Sequence, residues 1–188
     1  KNLKNIKHIE LSHAWAKLDR IDYDFQFKNG DWKRLSRETY NRGNGAAILL
    51  FNTIKGSVIL TRQFRMPIYD VMPSESYSIE VCAGAIDRDD EPLNTIIRET
   101  EEEVGYKIAT AKHVLTAYTS PGALTEKMYL FIAEYDDTMK SSLGGGLASE
   151  NEEIEILEMP FNEALEKIRN GEIIDAKTIM LLQYAQIN

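Results

Sequence analysis

Positive charge is in short supply in this chain. Lysine and arginine number 22 against 30 aspartates and glutamates, a formal net charge of −8 at pH 7. The basic footprint of a nucleic-acid-binding protein is missing, as is a polybasic membrane patch. An acidic protein that binds a phosphate compound calls for a metal cation to bridge the two. Cysteine is nearly absent: Cys82 stands alone, so no intrachain disulfide forms. It sits in the apolar run SIEVCAG, reads as a small core residue, and fits a reducing, cytoplasmic location. No segment approaches the ~20 apolar residues that span a membrane, and no signal peptide is visible. What remains is a globular composition, 43% hydrophobic over 188 residues. That is enough for a real core in one ordinary domain with an appendage.

In residues 18–28, LDRIDYDFQFK, the side chains Ile21, Tyr23, Phe25 and Phe27 alternate at strand period. Asn29-Gly30 follows as a hairpin signal, and WKRLSRETY returns as the second strand. A two-stranded hairpin is marginal alone, so it must pack on its own domain or on a second subunit. AAILLFN, SVILTRQF, SYSIEVCA, KHVLTAYT, EKMYLFIAEY and EEIEILEM read as further strands. Residues 65–75 read as a loop, and SSLGGGLASEN as a flexible one. Residues 92–104 read as a helix, opened by Pro92 and closed by Gly105. Helices over EALEKIR and AKTIMLLQYAQ follow, with Asn162 and Asp175 as their caps. This order predicts a mixed α/β (α+β) layer architecture, split into residues 1–42 and 43–188.

RETEEEVGY, residues 98–106, carries the chemistry. At ~100° per residue, Leu93, Ile97, Thr100 and Val104 share an apolar stripe. Glu99, Glu102 and Glu103 converge on another face, with Arg98 an i, i+4 partner of Glu102. Glu101 points away and reads as solvated. A charge run is usually a solvated face. Here, however, a small-residue strand end, CAG, feeds a glycine-containing loop into the helix. Loop carbonyls and helix carboxylates together form a hard oxygen site suited to Mg²⁺ or Mn²⁺.

Residues 84–106, GAIDRDDEPLNTIIRETEEEVGY, resemble the Nudix box. Gly84, Arg98-Glu99, Glu102-Glu103 and Gly105 fall at the family's spacing. Asp90 takes the place of the pattern's first glutamate, and Thr100 and Tyr106 take apolar positions. The resemblance implies a Nudix α/β/α sandwich with a mixed sheet, and hydrolysis of a nucleoside diphosphate linked to another moiety. It implies Glu99, Glu103 and the Ala83 carbonyl as Mg²⁺ (or Mn²⁺) ligands, with Glu102 a secondary ligand in the catalytic set.

RQFR (62–65), SPGALTE (120–126) and ASENEEIEI (148–156) are similar to the nucleotide-sugar pyrophosphatase branch of that family. That similarity implies Glu150 as general base, Glu126 as its rival or a substrate contact, and Glu152 as a further metal ligand. Arg65, Glu80, Gly84 and Lys177 are the implied substrate contacts. RETYNRGNGAAILLFN and EVCAG lean toward the subgroup acting on GDP-mannose, with ADP-ribose the alternative. A nucleotide-sugar-sensing domain without turnover is the competing class, and it commonly loses box glutamates that this chain keeps. In this branch an N-terminal antiparallel sheet reaches onto a second subunit. A homodimer is therefore expected, with Arg37 and Glu38 facing the partner chain's substrate.

Overall fold

A computed structural model describes residues 2–87 and 89–188, with Glu150 described by its backbone alone. The chain forms two compact units, Lys1–Asn44 with Tyr118–Lys127, and Gly45–Ala117 with Met128–Asn188.

The first unit holds a three-stranded antiparallel sheet of β1 (Leu3–His13), β2 (Lys17–Gln26) and β3 (Trp32–Asn41), in that order. The expected hairpin is β2–β3, and Gly30 takes φ 92° in its turn. The sheet is one strand larger than the hairpin read from sequence. In β1 the register slips between Lys4 and Lys7, and Asn5 sits at φ 52°. That bulge breaks the period-2 pattern that would have revealed the strand. Residues 118–127 join this unit through the end of β3. The Tyr40 N–H donates to the Ala123 carbonyl at 2.8 Å, and the Thr125 N–H donates to the Tyr40 carbonyl at 3.1 Å.

The second unit is built on a mixed seven-stranded sheet. Its strands are β4 (Asn44–Asn52), β5 (Ser57–Phe64), β6 (Tyr77–Glu80), β7 (Cys82–Ile86), β8 (Lys112–Tyr118), β9 (Lys127–Glu134) and β10 (Glu155–Pro160). β4 runs parallel to β9, and β5 runs antiparallel to β4, β6 and β10. β4 is buried on both faces. Ala47 and Leu49 join one core with Leu60, Leu181 and Leu182, while Ala46, Ile48 and Leu50 join another with Ile96, Val104 and Phe131. Helices α3 (Phe161–Arg169) and α4 (Ala176–Ile187) supply the first core, and α2 (Pro92–Glu99) supplies the second. These are the layers of the expected sandwich.

Several local expectations need correction. Within residues 65–75, Met66–Val71 form helix α1 and Pro73–Glu75 a 3₁₀ turn. Pro67 falls in the first turn of α1, where a missing N–H costs nothing. SYSIEVCA breaks at Val81, whose N–H leaves the ladder to donate to the Thr178 hydroxyl at 2.8 Å. β6 then pairs β5 while β7 pairs β4. Helix α3 begins at Phe161, so Asn162 lies inside its first turn and does not cap it. Asp175 does cap α4, accepting from the Thr178 N–H at 3.0 Å.

Candidate metal centre

The box helix is not α-helical throughout. It is α from Pro92 to Glu99 and then π-wound over Thr100–Val104, leaving through Gly105 at φ 75°. The buried Thr100 hydroxyl donates back to the Ile96 carbonyl at 2.6 Å where the winding changes. Such back-bonding loosens a helix, and π turns recur at functional sites. The buried stripe is therefore Thr95, Ile96, Thr100, Glu103 and Val104, while Leu93 and Ile97 are only half-buried.

The three glutamates separate accordingly. Glu103 is 3% exposed, and its Oε2 accepts from the Ala83 N–H at 3.1 Å. Glu99 lies against β7, where a Cβ added to Gly84 would stand 2.4 Å from its Oε1. The first glycine of the box is thus the notch that admits this carboxylate. Glu102 turns outward to Arg98 at 2.8 Å, and Arg98 also reaches Glu99 at 3.0 Å. Glu101 is half-buried and accepts from the Ser141 hydroxyl at 3.2 Å, so it is not merely solvated. Asp90 accepts from the Glu91 N–H and the Thr95 hydroxyl, which fastens the helix entrance.

Burial pushes the Glu103 carboxyl up to about 7, against the pull of the Cys82 thiol and the Ala83 N–H, and Glu99 and Glu152 add repulsion. Burial likewise lifts Glu99 to about 7; Arg98 opposes the rise, while Glu102 and Glu152 support it. Two adjoining carboxylates thus lack enough positive charge, a deficit that a cation relieves. Among the described residues no three carboxylate, histidine or cysteine side chains cluster tightly enough to enclose an ion. A cation on Glu99 and Glu103 would complete its shell with water, a backbone carbonyl and substrate phosphate, as Mg²⁺-type ions do. The donor set fits a hard divalent ion. Burial raises the Cys82 thiol well above its ordinary value, so it is a core residue.

Beside β7, Glu80 is 4% exposed and gathers the expected substrate cations. Arg65 grips it with two parallel hydrogen bonds of 2.8 Å, and Lys177 reaches it at 2.6 Å. Burial raises the Glu80 carboxyl, but Arg65 and Lys177 outweigh it and hold it at about 2. Lys177 also pairs with Asp175 at 3.0 Å. Asp175 joins this group through its capping turn, a role that the DAKT sequence does not single out.

Glu152 is half-buried and accepts from the Leu147 N–H at 3.0 Å. The Glu150 backbone lies in the 3₁₀ turn Ala148–Glu150, and its side chain is outside the described residues. In the first unit, Glu126 is 5% exposed, with Thr119 and Arg42 on its two oxygens at 2.8 and 3.2 Å. Arg37 and Glu38 are exposed on β3, opposite Ile21 and Arg20. Two apolar hollows of about 400 and 420 Å³ are lined by other residues, such as Ile132 and Met139.

Comparisons with known proteins identify the family. The family model described as the GDP-mannose pyrophosphatase NudK N-terminal domain matches residues 2–40, and that of the NUDIX domain matches residues 41–182. The chain is 50% identical to the GDP-mannose pyrophosphatase of Cronobacter sakazakii over 186 residues, 99% of this chain and 96% of that protein. It is 46% identical to the GDP-mannose pyrophosphatase of Salmonella typhimurium, covering 96% of this chain and 93% of that one. A solved structure titled as that of an ADP compounds hydrolase superposes with a TM-score of 0.71 at 20% identity, over 98% of this chain and 91% of that chain, a likeness of fold. The chain belongs to the Nudix hydrolase family.

Proposed function

We propose that this chain hydrolyses the pyrophosphate bond of GDP-mannose, giving GMP and mannose 1-phosphate, with Mg²⁺ (or Mn²⁺) as its ion. Nudix hydrolases generally use divalent metal ions. The reading is carried by the buried Glu103 and the half-buried Glu99, short of positive charge, at the Gly84 notch. Near-full-length relatives named for GDP-mannose support the substrate. A divalent cation supplies charge neutralisation at the diphosphate and acidifies a bound water.

The protein's own residues do the rest. Glu99, Glu103 and the Ala83 carbonyl would hold the ion, Glu152 would join as a further ligand when the ion is bound, and Glu102, paired with Arg98, would be a secondary one. Glu80 holds Arg65 through its Nε and Nη2 and presents it with Lys177, leaving the Nη1 edge of the guanidinium for the diphosphate. Glu150 takes the proton of the attacking water, with Glu126 as the rival base. Residues 1–42 form a dimerisation region and 43–188 the catalytic domain, in a homodimer that places Arg37 and Glu38 at the partner's substrate. The location is cytoplasmic. No helix among the described residues is long and apolar enough to cross a membrane.

A panel of GDP-mannose, ADP-ribose and other nucleotide sugars, with Mg²⁺ or Mn²⁺ and identified products, tests this. GDP-mannose turns over fastest, and Glu103→Gln loses roughly 10²-fold or more, the scale of one preorganised electrostatic contact. Preferred cleavage of ADP-ribose overturns the substrate. Tight binding without turnover establishes a sensing domain instead.

A further inference from the structure

In sequence, SSLGGGLASEN reads as flexible because it contains Gly144-Gly145-Gly146. The hydrogen bonds give it a different character. The last turn of any helix leaves carbonyls without intrahelical partners, and a buried carbonyl without a partner is costly. Here the segment 140–146 takes them in succession. The Gly146 N–H donates to the Glu102 carbonyl at 3.2 Å, and the Gly145 N–H donates to the Glu103 carbonyl at 2.8 Å. The Lys140 ammonium donates to the Val104 carbonyl at 2.9 Å, and the Ser141 N–H donates to the Gly105 carbonyl at 2.8 Å.

Close approach explains the glycines. A Cβ on Gly144 would stand 2.7 Å from the Glu103 carbonyl oxygen, and one on Gly146 would stand 2.6 Å from the Cβ and Oε2 of Glu152. All three residues have φ between 67° and 104°, a region that side chains disfavour. On the far side, the Gly145 carbonyl accepts from the Ile154 N–H at 3.1 Å, closing the carboxylate loop at its base.

We infer that Gly144–Gly146 is a fixed cap on the box helix and a positioning element that sets Glu103 and Glu152 relative to one another. The cap itself is independent of the activity. Its consequence for the ion rests on the proposed function. The glycines are there to let two backbones touch.

Amide hydrogen exchange on the metal-free protein tests the cap. The Gly145 and Gly146 amides exchange as slowly as that of Val104. Exchange at the rate of an unstructured peptide overturns it. Mn²⁺ titration of the substrate-free protein, read by electron paramagnetic resonance, tests the positioning. Gly144→Ala and Gly146→Ala weaken Mn²⁺ binding about tenfold, the lower end of what supporting-residue changes cost a metal site. The control Gly56→Ala, at φ 65° with nothing within 4 Å of the new Cβ, suffers similar backbone strain and keeps wild-type affinity. If Gly144→Ala does not fold, Gly145→Ala replaces it, since its Cβ would meet only the Ile154 carbonyl oxygen at 3.8 Å. Unchanged Mn²⁺ affinity in folded Gly146→Ala overturns the positioning role. A wild-type protein that binds no Mn²⁺ sinks the metal reading, and hydrogen exchange then decides the cap alone.

Discussion

The carboxylates around β7 respond to pH in opposite directions. Glu99 and Glu103 are lifted from the usual 4.5 to about 7, chiefly by burial. The folded state therefore holds their protons longer than the unfolded chain does. That contribution to stability is full below about 4.5 and is lost as pH rises through 7. For Glu103 it is on the order of 3 kcal/mol. Glu80 works the other way. Despite the burial that raises it, Arg65 and Lys177 hold it at about 2, so its contribution is present above 4.5 and fades as pH falls toward 2. Denaturant unfolding of the metal-free protein will show stability declining between pH 5 and pH 8, with a shallower decline in Glu103→Gln. Divalent cations will stabilise more at pH 8 than at pH 5.5, because they compete with protons for the same oxygens. A flat profile in the wild-type protein would exclude a buried, proton-holding pair.

At the level of elements, the box was legible because its signal is local. Helical spacing, a strand end of small residues and two glycines at fixed separations all lie within residues 83–105. The sequence pattern did not reveal features whose cause is distant in the chain. The π turn is the local exception: it arises where Thr100, read in sequence as part of the apolar stripe, bonds back to Ile96. The Gly144–Gly146 segment looks flexible in sequence because its partners, Glu102 and Glu103, lie some forty positions earlier. The break in SYSIEVCA is set by Thr178, fully buried on α4, which accepts from the Val81 N–H and donates to Asp175 at 2.6 Å. That latch fixes where β6 ends and β7 begins, and so where Ala83 and Gly84 meet the helix. Thr178→Val keeps the shape but orphans a buried N–H, at a cost of about 1–3 kcal/mol. Thr178→Ser should restore most of it. Equilibrium urea unfolding of the two variants checks this, and equal stability of Thr178→Val and wild type would remove the latch from the account.

For the whole molecule, the outstanding issue is what covers the first sheet. Ten of the eleven positions of β1 are exposed, and Leu3, Ile6 and Leu11 are 46%, 55% and 45% exposed. A strand that presents apolar side chains and an unpaired edge invites association unless something covers it. The hydrogen-bonded ladder of β1 with β2 runs nearly its full length, from Leu3–Phe25 to His13–Lys17. The strand is therefore a stable part of its sheet and not a frayed end, and its exposed face is available to a partner. A second copy is the partner we propose, on the family resemblance alone. Sedimentation velocity of the full chain should give a dimer of about 43 kDa, twice the 21.4 kDa chain. Ile6→Lys, which sets a charge in the exposed apolar row without touching the box, should shift the population toward monomer. If residues 1–42 also complete the partner's site through Arg37 and Glu38, the monomeric variant will show a raised KM while still binding Mn²⁺ normally. A wild-type chain that sediments as a monomer at micromolar concentration would exclude this assembly, and Arg37 and Glu38 would lose their proposed role with it.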